Sequence, residues 1–382
     1  MDFALTEEQG AIYEMARCFA DENLAPHAIA WDRSETFPVD VVRAAAELGM
    51  AGIYVGEEHG GSGLTRLDAT LIFEALSHGC PSIAAFISIH NMCAWMIDSF
   101  GSDELRAHWV PKLCSMQTIA SYCLTEPGSG SDAAALRTRA DKQGNEIVLN
   151  GSKAFISGGG FSDLYIVMAR TGAEGPKGIS SVLVEKGTPG LSYGANEQKM
   201  GWNAQPTAQV QFDDCRVPPT NLMGEEGKGF AYAMMGLDGG RLNIAACALG
   251  AAQSALDKAA RYMHERSAFG KPIAGFQALQ FKLADMEIDL QAARVFLRQA
   301  AWKLDRKDAD ATKFCAMAKC FVTDKAFKVA NDALQIHGGY GYLADYGLEK
   351  IVRDLRVHQI LEGTNEIMRV IVSRQLLDET KA

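Results

Sequence analysis

The chain has no Cys-x-x-Cys pair, no Gly-x-x-x-x-Gly-Lys-[Ser/Thr] and no Gly-x-Gly-x-x-Gly that follows a strand and opens a helix. These absences exclude the common zinc sites, the P-loop and the Rossmann fingerprint, so a bound nucleotide needs another architecture. Its nine cysteines are an odd set scattered from Cys18 to Cys320, which points to free thiols in a reducing compartment rather than a disulfide framework. Basic residues number 37 against 47 acidic ones, and the formal charge of −10 lacks the footprint of a nucleic-acid partner. The longest uncharged run, Pro81 to Ile97, is interrupted by His90 and Asn91 and reads as a buried helix, not a membrane span. Neither a basic region nor an apolar core follows Met1, and the acidic Asp2 is unlike an organelle leader. The expected location is bacterial cytoplasm, with the mitochondrial matrix as the alternative for a mature chain.

What the 382 residues do contain is three textures, with no internal repeat. Up to about residue 118, Ala, Leu, Met and Ile recur at three- and four-residue steps, punctuated by Pro26, Pro38 and Pro81, and Thr6-Glu-Glu-Gln9 is a capping-box pattern. Residues 119–228 change to short β-branched runs, Ile147-Val-Leu149, Ala154-Phe-Ile156, Leu164–Met168 and Ser181–Val184. Asn150-Gly151 reads as a hairpin turn between the first two, and Ala208–Phe212 alternates like a half-buried strand. From residue 229 helix texture returns to residue 382. Leu283, Met286, Leu290, Ala293, Leu297, Ala300 and Leu304 form one narrow seam, and Cys315, Ala318, Val322, Ala326, Val329, Ala333 and Ile336 form a second. Joined through Asp305–Asp310, with Arg241–Glu265 and a C-terminal helix, they predict a four-helix bundle.

Several short stretches carry chemistry, each with a plain structural alternative. Thr125–Asp132, "TEPGSGSD", offers backbone N–H groups and the hydroxyls of Thr125, Ser129 and Ser131 to a polar ligand at a unit junction, or is a simple turn. Gln335–Tyr342 ends a helix in glycines that admit a phosphate or a ring close to the backbone, or merely stop the helix. His337 has no histidine four residues away, so no metal pair is implied, and Arg266 reads as a phosphate ligand or an exposed helix-end arginine. Glu362, between Ile360-Leu361 and Gly363, is either a helix-start acid favoured by the dipole or a general base whose pKa an apolar pocket would raise. Spacing alone does not choose between them.

Taken in order, Tyr122–Asp132, Asn150–Ser157, Arg266–Gly270, Gln335–Gly339 and Leu361–Thr364 resemble the acyl-CoA dehydrogenase family over essentially the whole chain. The resemblance implies an α+β fold: an N-terminal helical domain (1–118), a middle β-barrel (119–228) and a C-terminal four-helix bundle (229–382), assembled as a homotetramer with FAD between subunits. It implies α,β-dehydrogenation of a short branched acyl-CoA, with electrons passed to electron-transfer flavoprotein and no metal. Tyr122, Cys123, Leu124, Thr125, Gly130, Ser131, Phe155, Ile156 and Ser157 match positions around the flavin. Arg266, Phe276, Gln277, Gln335, Ile336, His337, Gly338, Gly339, Thr364, Asn365 and Glu366 match positions holding the rest of FAD, part of them reaching from a neighbouring subunit. Ser131, Asp238, Gly239, Gly240, Arg241, Gly363 and Arg374 match the acyl-CoA lining, and Glu362 matches the base of the family's "EGT" motif.

In some branches of the family the base stands instead just before the arginine matching Arg241. That position here is Gly240, which has no side chain, leaving Glu362 as the candidate. Phe155 departs from the tryptophan that many members carry. The alternatives are a preference for 2-methylbutyryl-CoA or butyryl-CoA, an acyl-CoA oxidase, which is commonly longer, and a non-catalytic acyl-CoA-binding protein.

Overall fold

The computed structural model describes residues 4–381, so the acidic start at Met1–Phe3 lies outside the described residues. The helices before the first strand are α1 (Glu7–Phe19), α2 (Ala28–Ser34), α3 (Val39–Glu47), α4 (Arg66–Gly79), α5 (Pro81–Phe100) and α6 (Asp103–Cys114). Thr6 opens α1 with the expected reciprocal cap: its hydroxyl accepts from Gln9 N, and the Gln9 side chain accepts from Thr6 N. Thr65 and Asp68 repeat the device at the start of α4. By length and composition α5 could cross a bilayer, but most of it is buried inside the fold, as Pro81–Ile97 predicts.

The middle unit contains β1 (Ala120–Cys123), β2 (Arg139–Gln143), β3 (Glu146–Ser157), β4 (Leu164–Arg170), β5 (Ile179–Glu185), β6 (Leu191–Tyr193), β7 (Thr207–Val217) and β8 (Leu222–Met223). They pair in the order β6-β7-β3-β2-β4-β5-β8, with β1 parallel to β4. The link between β2 and β4 is the single pair Arg139–Arg170, so the sheet folds there into two halves around one core that includes Leu149, Ile156, Tyr165, Val182 and Val210. The barrel is open between β6 and β8. Val210 and Phe212 point inward while Gln211 is exposed, the alternation read in the sequence.

Asn150-Gly151 does not turn the chain. Residues 146–157 form one continuous strand, and the register against β7 slips between Leu149 and Gly151. Gly151 at φ +145° supplies a bulge, and the Asn150 side chain bonds Asp214 on the partner strand rather than closing a hairpin. A second slip between Lys153 and Ile156 forces Phe155 to φ +59° and turns its ring out of the sheet, 69% exposed.

The last unit begins with the 37-residue α7 (Gly229–Glu265). A short hairpin of β9 (Ser267–Ala268) and β10 (Lys271–Pro272) leads to α8 (Gln277–Asp305) and α9 (Ala311–His337). The predicted seams pack as expected: Met286, Leu290, Ala293 and Leu297 of α8, and the whole stripe from Cys315 to Ile336 of α9, are buried. The fourth bundle helix is in two pieces, α10 (Leu348–His358) and α11 (Asn365–Glu379), and the break between them holds Glu362. A second apolar stripe on α8, Phe281, Ile288, Val295 and Trp302, repeats every seven residues and faces outward.

The helical units meet where α4 crosses α7. A Cβ on Gly250 would lie 1.9 Å from the backbone oxygen of Glu74, so this crossing requires glycine. Alanine should add roughly 1 kcal/mol of helix propensity. We nevertheless expect Gly250→Ala to lose about 1–3 kcal/mol net, because the two backbones must separate. Urea unfolding measures it, and a variant as stable as the parent would show that the crossing is adjustable.

Candidate active site

The turn from Gln359 to Thr364 is closed by Asn365 N donating to Gln359 O at 3.0 Å, and α11 restarts with the Thr364 hydroxyl accepting from Ile367 N. Within it Glu362 at φ +55° and Gly363 at φ +91° are both left-handed, which swings the Glu362 side chain back over α7. There it lies on bare backbone. A Cβ on Gly240 would sit 2.5 Å from Glu362 Oε2, so the missing side chain at residue 240 is the room that the carboxylate occupies.

Glu362 Oε2 is buried and has no hydrogen-bond partner. Burial pushes this carboxyl up to about 7, and the positive charges of Arg241 and Lys319 oppose the rise. Both cations hold the turn through its backbone rather than through the carboxylate. Arg241 Nε donates to Glu362 O at 3.3 Å while its Nη1 pairs with Asp238 at 2.7 Å, and Asp238 also accepts from Thr312. Lys319, fully buried, donates to Gly363 O at 2.8 Å and Asn365 Oδ1 at 2.9 Å. Loss of hydration pulls its ammonium down to about 8, with the Glu362 charge opposing. Asn365 in turn donates to Thr323 and Asp324, so a polar network fastens the turn to α9.

Tyr122 on β1 shares this enclosure: its phenol is buried without a partner, and burial with the Cys93 and Glu362 charges raises its pKa. The neighbouring side chains of Cys123 and Leu124 are core. The loop that follows is pinned by a buried ion pair. Lys153 donates to Leu124 O and Glu126 Oε1 at 3.0 and 2.8 Å, and the Glu126 carboxylate accepts from the N–H groups of Arg137 and Thr138. Of the three expected hydroxyls, Ser129 turns inward to Asp132 O, so it is withdrawn from any ligand; Gly130 and Ser131 are exposed and Thr125 half-buried. The Ile156 side chain is core, whereas Ser157 is half-buried beside the out-turned Phe155.

The other expected positions gather elsewhere. Arg266, Ile336, His337, Gly338 and Gly339 line one cavity of about 400 Å³ at the far end of α7 and α9. Tyr262 stacks on His337 at 4.2 Å, and Arg266 lies 5.6 Å over the Tyr340 ring. Phe276, contacted by Phe269 and Lys271, and the exposed Gln277 begin α8 beside it, and Gln335 is exposed at the end of α9. Along α7 this cluster is about 36 Å from Arg241, at 1.5 Å per residue. Thr364 and Glu366 stay with Glu362, and Arg374 is exposed nine residues into α11, on the order of 14 Å from its start. Two buried cations of this region escaped the sequence reading. Lys319 sits inside an apolar run, and Arg66 puts a basic residue in the first turn of α4, where the helix dipole disfavours it; each is the local inconsistency that marks a site.

An enclosed carboxylate with an unpartnered oxygen, set on bare backbone of α7, is the geometry of a proton acceptor. Residues 6–117, 121–215 and 227–377 match, in order, the acyl-CoA dehydrogenase N-terminal, middle and C-terminal domains, and the chain belongs to the acyl-CoA dehydrogenase family. It is 56% identical over 375 residues to isobutyryl-CoA dehydrogenase, mitochondrial, of Bos taurus, covering 98% of this chain and 90% of that one. The Dictyostelium discoideum protein of the same name is 58% identical over 373 residues, covering 97% and 90%. Butyryl-CoA dehydrogenase from Megasphaera elsdenii superposes with a TM-score of 0.96 at 39% identity, covering 99% of this chain and 100% of that chain. An FAD complex of PigA superposes with a TM-score of 0.95 at 31% identity, covering 98% and 99%.

The cofactor is FAD, and the residues present fit it. At the far cavity a Cβ on Gly338 or Gly339 would meet nothing within 4 Å, beside a cation and a stacked pair of rings. At the near one stand the partnerless Tyr122 phenol and the open face of Phe155.

The raised Glu362 pKa is also a statement about stability. Between the ordinary value of 4.5 and about 7 the folded state holds a proton that the unfolded chain has released. Stability from this group is therefore complete below about pH 4.5 and is lost as pH rises through 7. Glu362→Gln, which cannot ionise, should unfold at a higher temperature than the parent at pH 8, the gap closing below pH 4.5. Parallel melting curves at both pH values would expose a carboxylate that is in fact solvated.

Proposed function

We propose that this chain oxidises isobutyryl-CoA to methacrylyl-CoA in valine breakdown and passes the electrons to electron-transfer flavoprotein. The observation that carries the mechanism is the carboxylate seated on Gly240 with an unpartnered oxygen and a pKa near neutrality. Such a group is strong enough to take a proton at pH 7 and is not satisfied by the protein itself. Glu362 takes the α-proton of the thioester. FAD, when bound, supplies the acceptor for the β-hydrogen, which leaves as hydride. Arg241 and Lys319 hold the backbone of the turn, so that the Glu362 N–H and the carboxylate keep a fixed relation to the thioester oxygen and α-carbon. Asp238, Gly239 and Gly363 line the acyl-CoA beside them, with Ser131 and Arg374 along its outer part.

Two features support a homotetramer with FAD shared between copies. The Arg266–Gly339 cavity and Glu362 stand farther apart along α7 than one extended dinucleotide reaches. The exposed Phe281–Trp302 stripe of α8 has the spacing of a helix awaiting a second one. The 56–58% identity to isobutyryl-CoA dehydrogenases favours isobutyryl-CoA over butyryl- or 2-methylbutyryl-CoA. Either compartment weighed above, the bacterial cytoplasm or the mitochondrial matrix, suits this chemistry.

Anaerobic mixing with isobutyryl-, butyryl-, 2-methylbutyryl- and isovaleryl-CoA tests the reading by loss of flavin absorbance. Isobutyryl-CoA should bleach fastest, with a rate rising as pH passes about 7 and the base ionises. Faster bleaching by another of the four would move the substrate, and oxygen uptake equal to turnover would make the protein an oxidase. Glu362→Gln should keep its FAD and slow reduction by about 10²–10⁴. Full-speed reduction in that variant would remove Glu362 from the mechanism.

A further inference from the structure

Arg66 is 8% exposed, and its guanidinium carbon lies 3.5 Å from the centroid of Tyr54 and 4.7 Å from that of Trp95. A Cβ on Gly239 would sit 2.3 Å from its Nη1. Gly239 and Gly240 are consecutive in α7, so one bare segment of helix admits a cation from the N-terminal unit and the Glu362 carboxylate from the C-terminal one. Tyr54 belongs to the same enclosure. Its phenol accepts from Asn243 at 3.0 Å, and burial raises its pKa, with the Glu362 charge adding to the rise. The Asp305 carboxylate near Arg66 is engaged by backbone, accepting from the N–H groups of Arg66 and Leu67 at 2.7 and 3.0 Å. Nη1 is left buried without an acceptor. A charged donor enclosed in this way weakens the fold unless something else uses it. Its rings hold it flat and its backbone is capped, so the unmet N–H has a fixed direction, as a binding group needs.

We infer that Arg66 is a substrate-binding residue, whose Nη1 donates a hydrogen bond to a carbonyl oxygen of the acyl-CoA. That oxygen belongs either to the thioester or to the nearest amide of the pantetheine arm. The inference rests on the acyl-CoA reading of the site and adds a contact from the N-terminal unit.

The test is calorimetric binding to the holoenzyme, with and without Arg66→Leu. The ligands are isobutyryl-CoA, in a Glu362→Gln background where it is not consumed, and S-isobutyl-CoA, a thioether without the thioester carbonyl. Arg66→Leu should bind isobutyryl-CoA at least roughly tenfold more weakly, while the ligand-free holoenzyme melts at the same or a higher temperature, because a buried unmet donor has gone. If the thioether loses affinity equally, the acceptor is the pantetheine amide; if only the thioester loses it, the acceptor is the thioester oxygen. Affinities within twofold of the parent for both ligands would overturn the inference, as would weaker binding with a lowered ligand-free melting point, the mark of a structural arginine. Should the leucine variant not fold, Arg66→Lys keeps the charge but not the reach of Nη1, and the same loss is expected of it. No binding of either ligand without the Arg66 substitution would overturn the acyl-CoA reading itself, and this inference with it.

Discussion

A carboxylate pressed onto bare helix backbone, with one oxygen left unbonded, is the constraint around which the C-terminal half is arranged. It explains otherwise unfavourable choices. Two adjacent glycines in the middle of a 37-residue helix each weaken it by about 1 kcal/mol relative to alanine. A left-handed glutamate is a strained residue, and the fourth bundle helix is interrupted to accommodate it. The surrounding groups make that arrangement persist: an independent cap at Thr364, a buried lysine on Gly363 O and an arginine on Glu362 O itself. None of them neutralises the carboxylate by direct pairing. A charge-assisted bond to it would lower its pKa and leave it a poor base, so the cations grip the loop beside it instead.

The same logic separates what was legible in the sequence from what was not. Apolar periodicity foretold the whole α9 seam and the α8 seam from Met286 to Ala300, with Leu283 and Leu304 half-buried at its ends, because a helix stripe is a local property that burial merely ratifies. The Thr6 cap was equally local. Asn150-Gly151 misled because a left-handed glycine serves a bulge as well as a turn, and only the partner strand decides; here β7 runs alongside both halves of β3. The two readings of the loop at Ser129 could not be separated for a related reason, since a loop hydroxyl can satisfy its own loop.

Glu362 was ambiguous by spacing, because its pKa is made by three distant segments, residues 240–241, residue 319 and the turn itself. Its family motif named the position without explaining it. Lys319 and Arg66 passed unremarked for the opposite reason. A charged residue in an apolar stretch is conspicuous, but what it touches is set by tertiary packing: Gly363 lies 44 positions from Lys319, and Gly239 lies 173 positions from Arg66.

In the shared-site assembly proposed above, the separation of the two residue clusters along α7 has a genetic consequence. In an assembly whose sites are shared between copies, a chain damaged at Arg266 or His337 still carries an intact Glu362 turn, and a chain damaged at Glu362 still carries an intact far cavity. Neither works alone. Mixed in one assembly, each defective chain completes a site that the other lacks, so two individually inactive alleles would complement one another when expressed together.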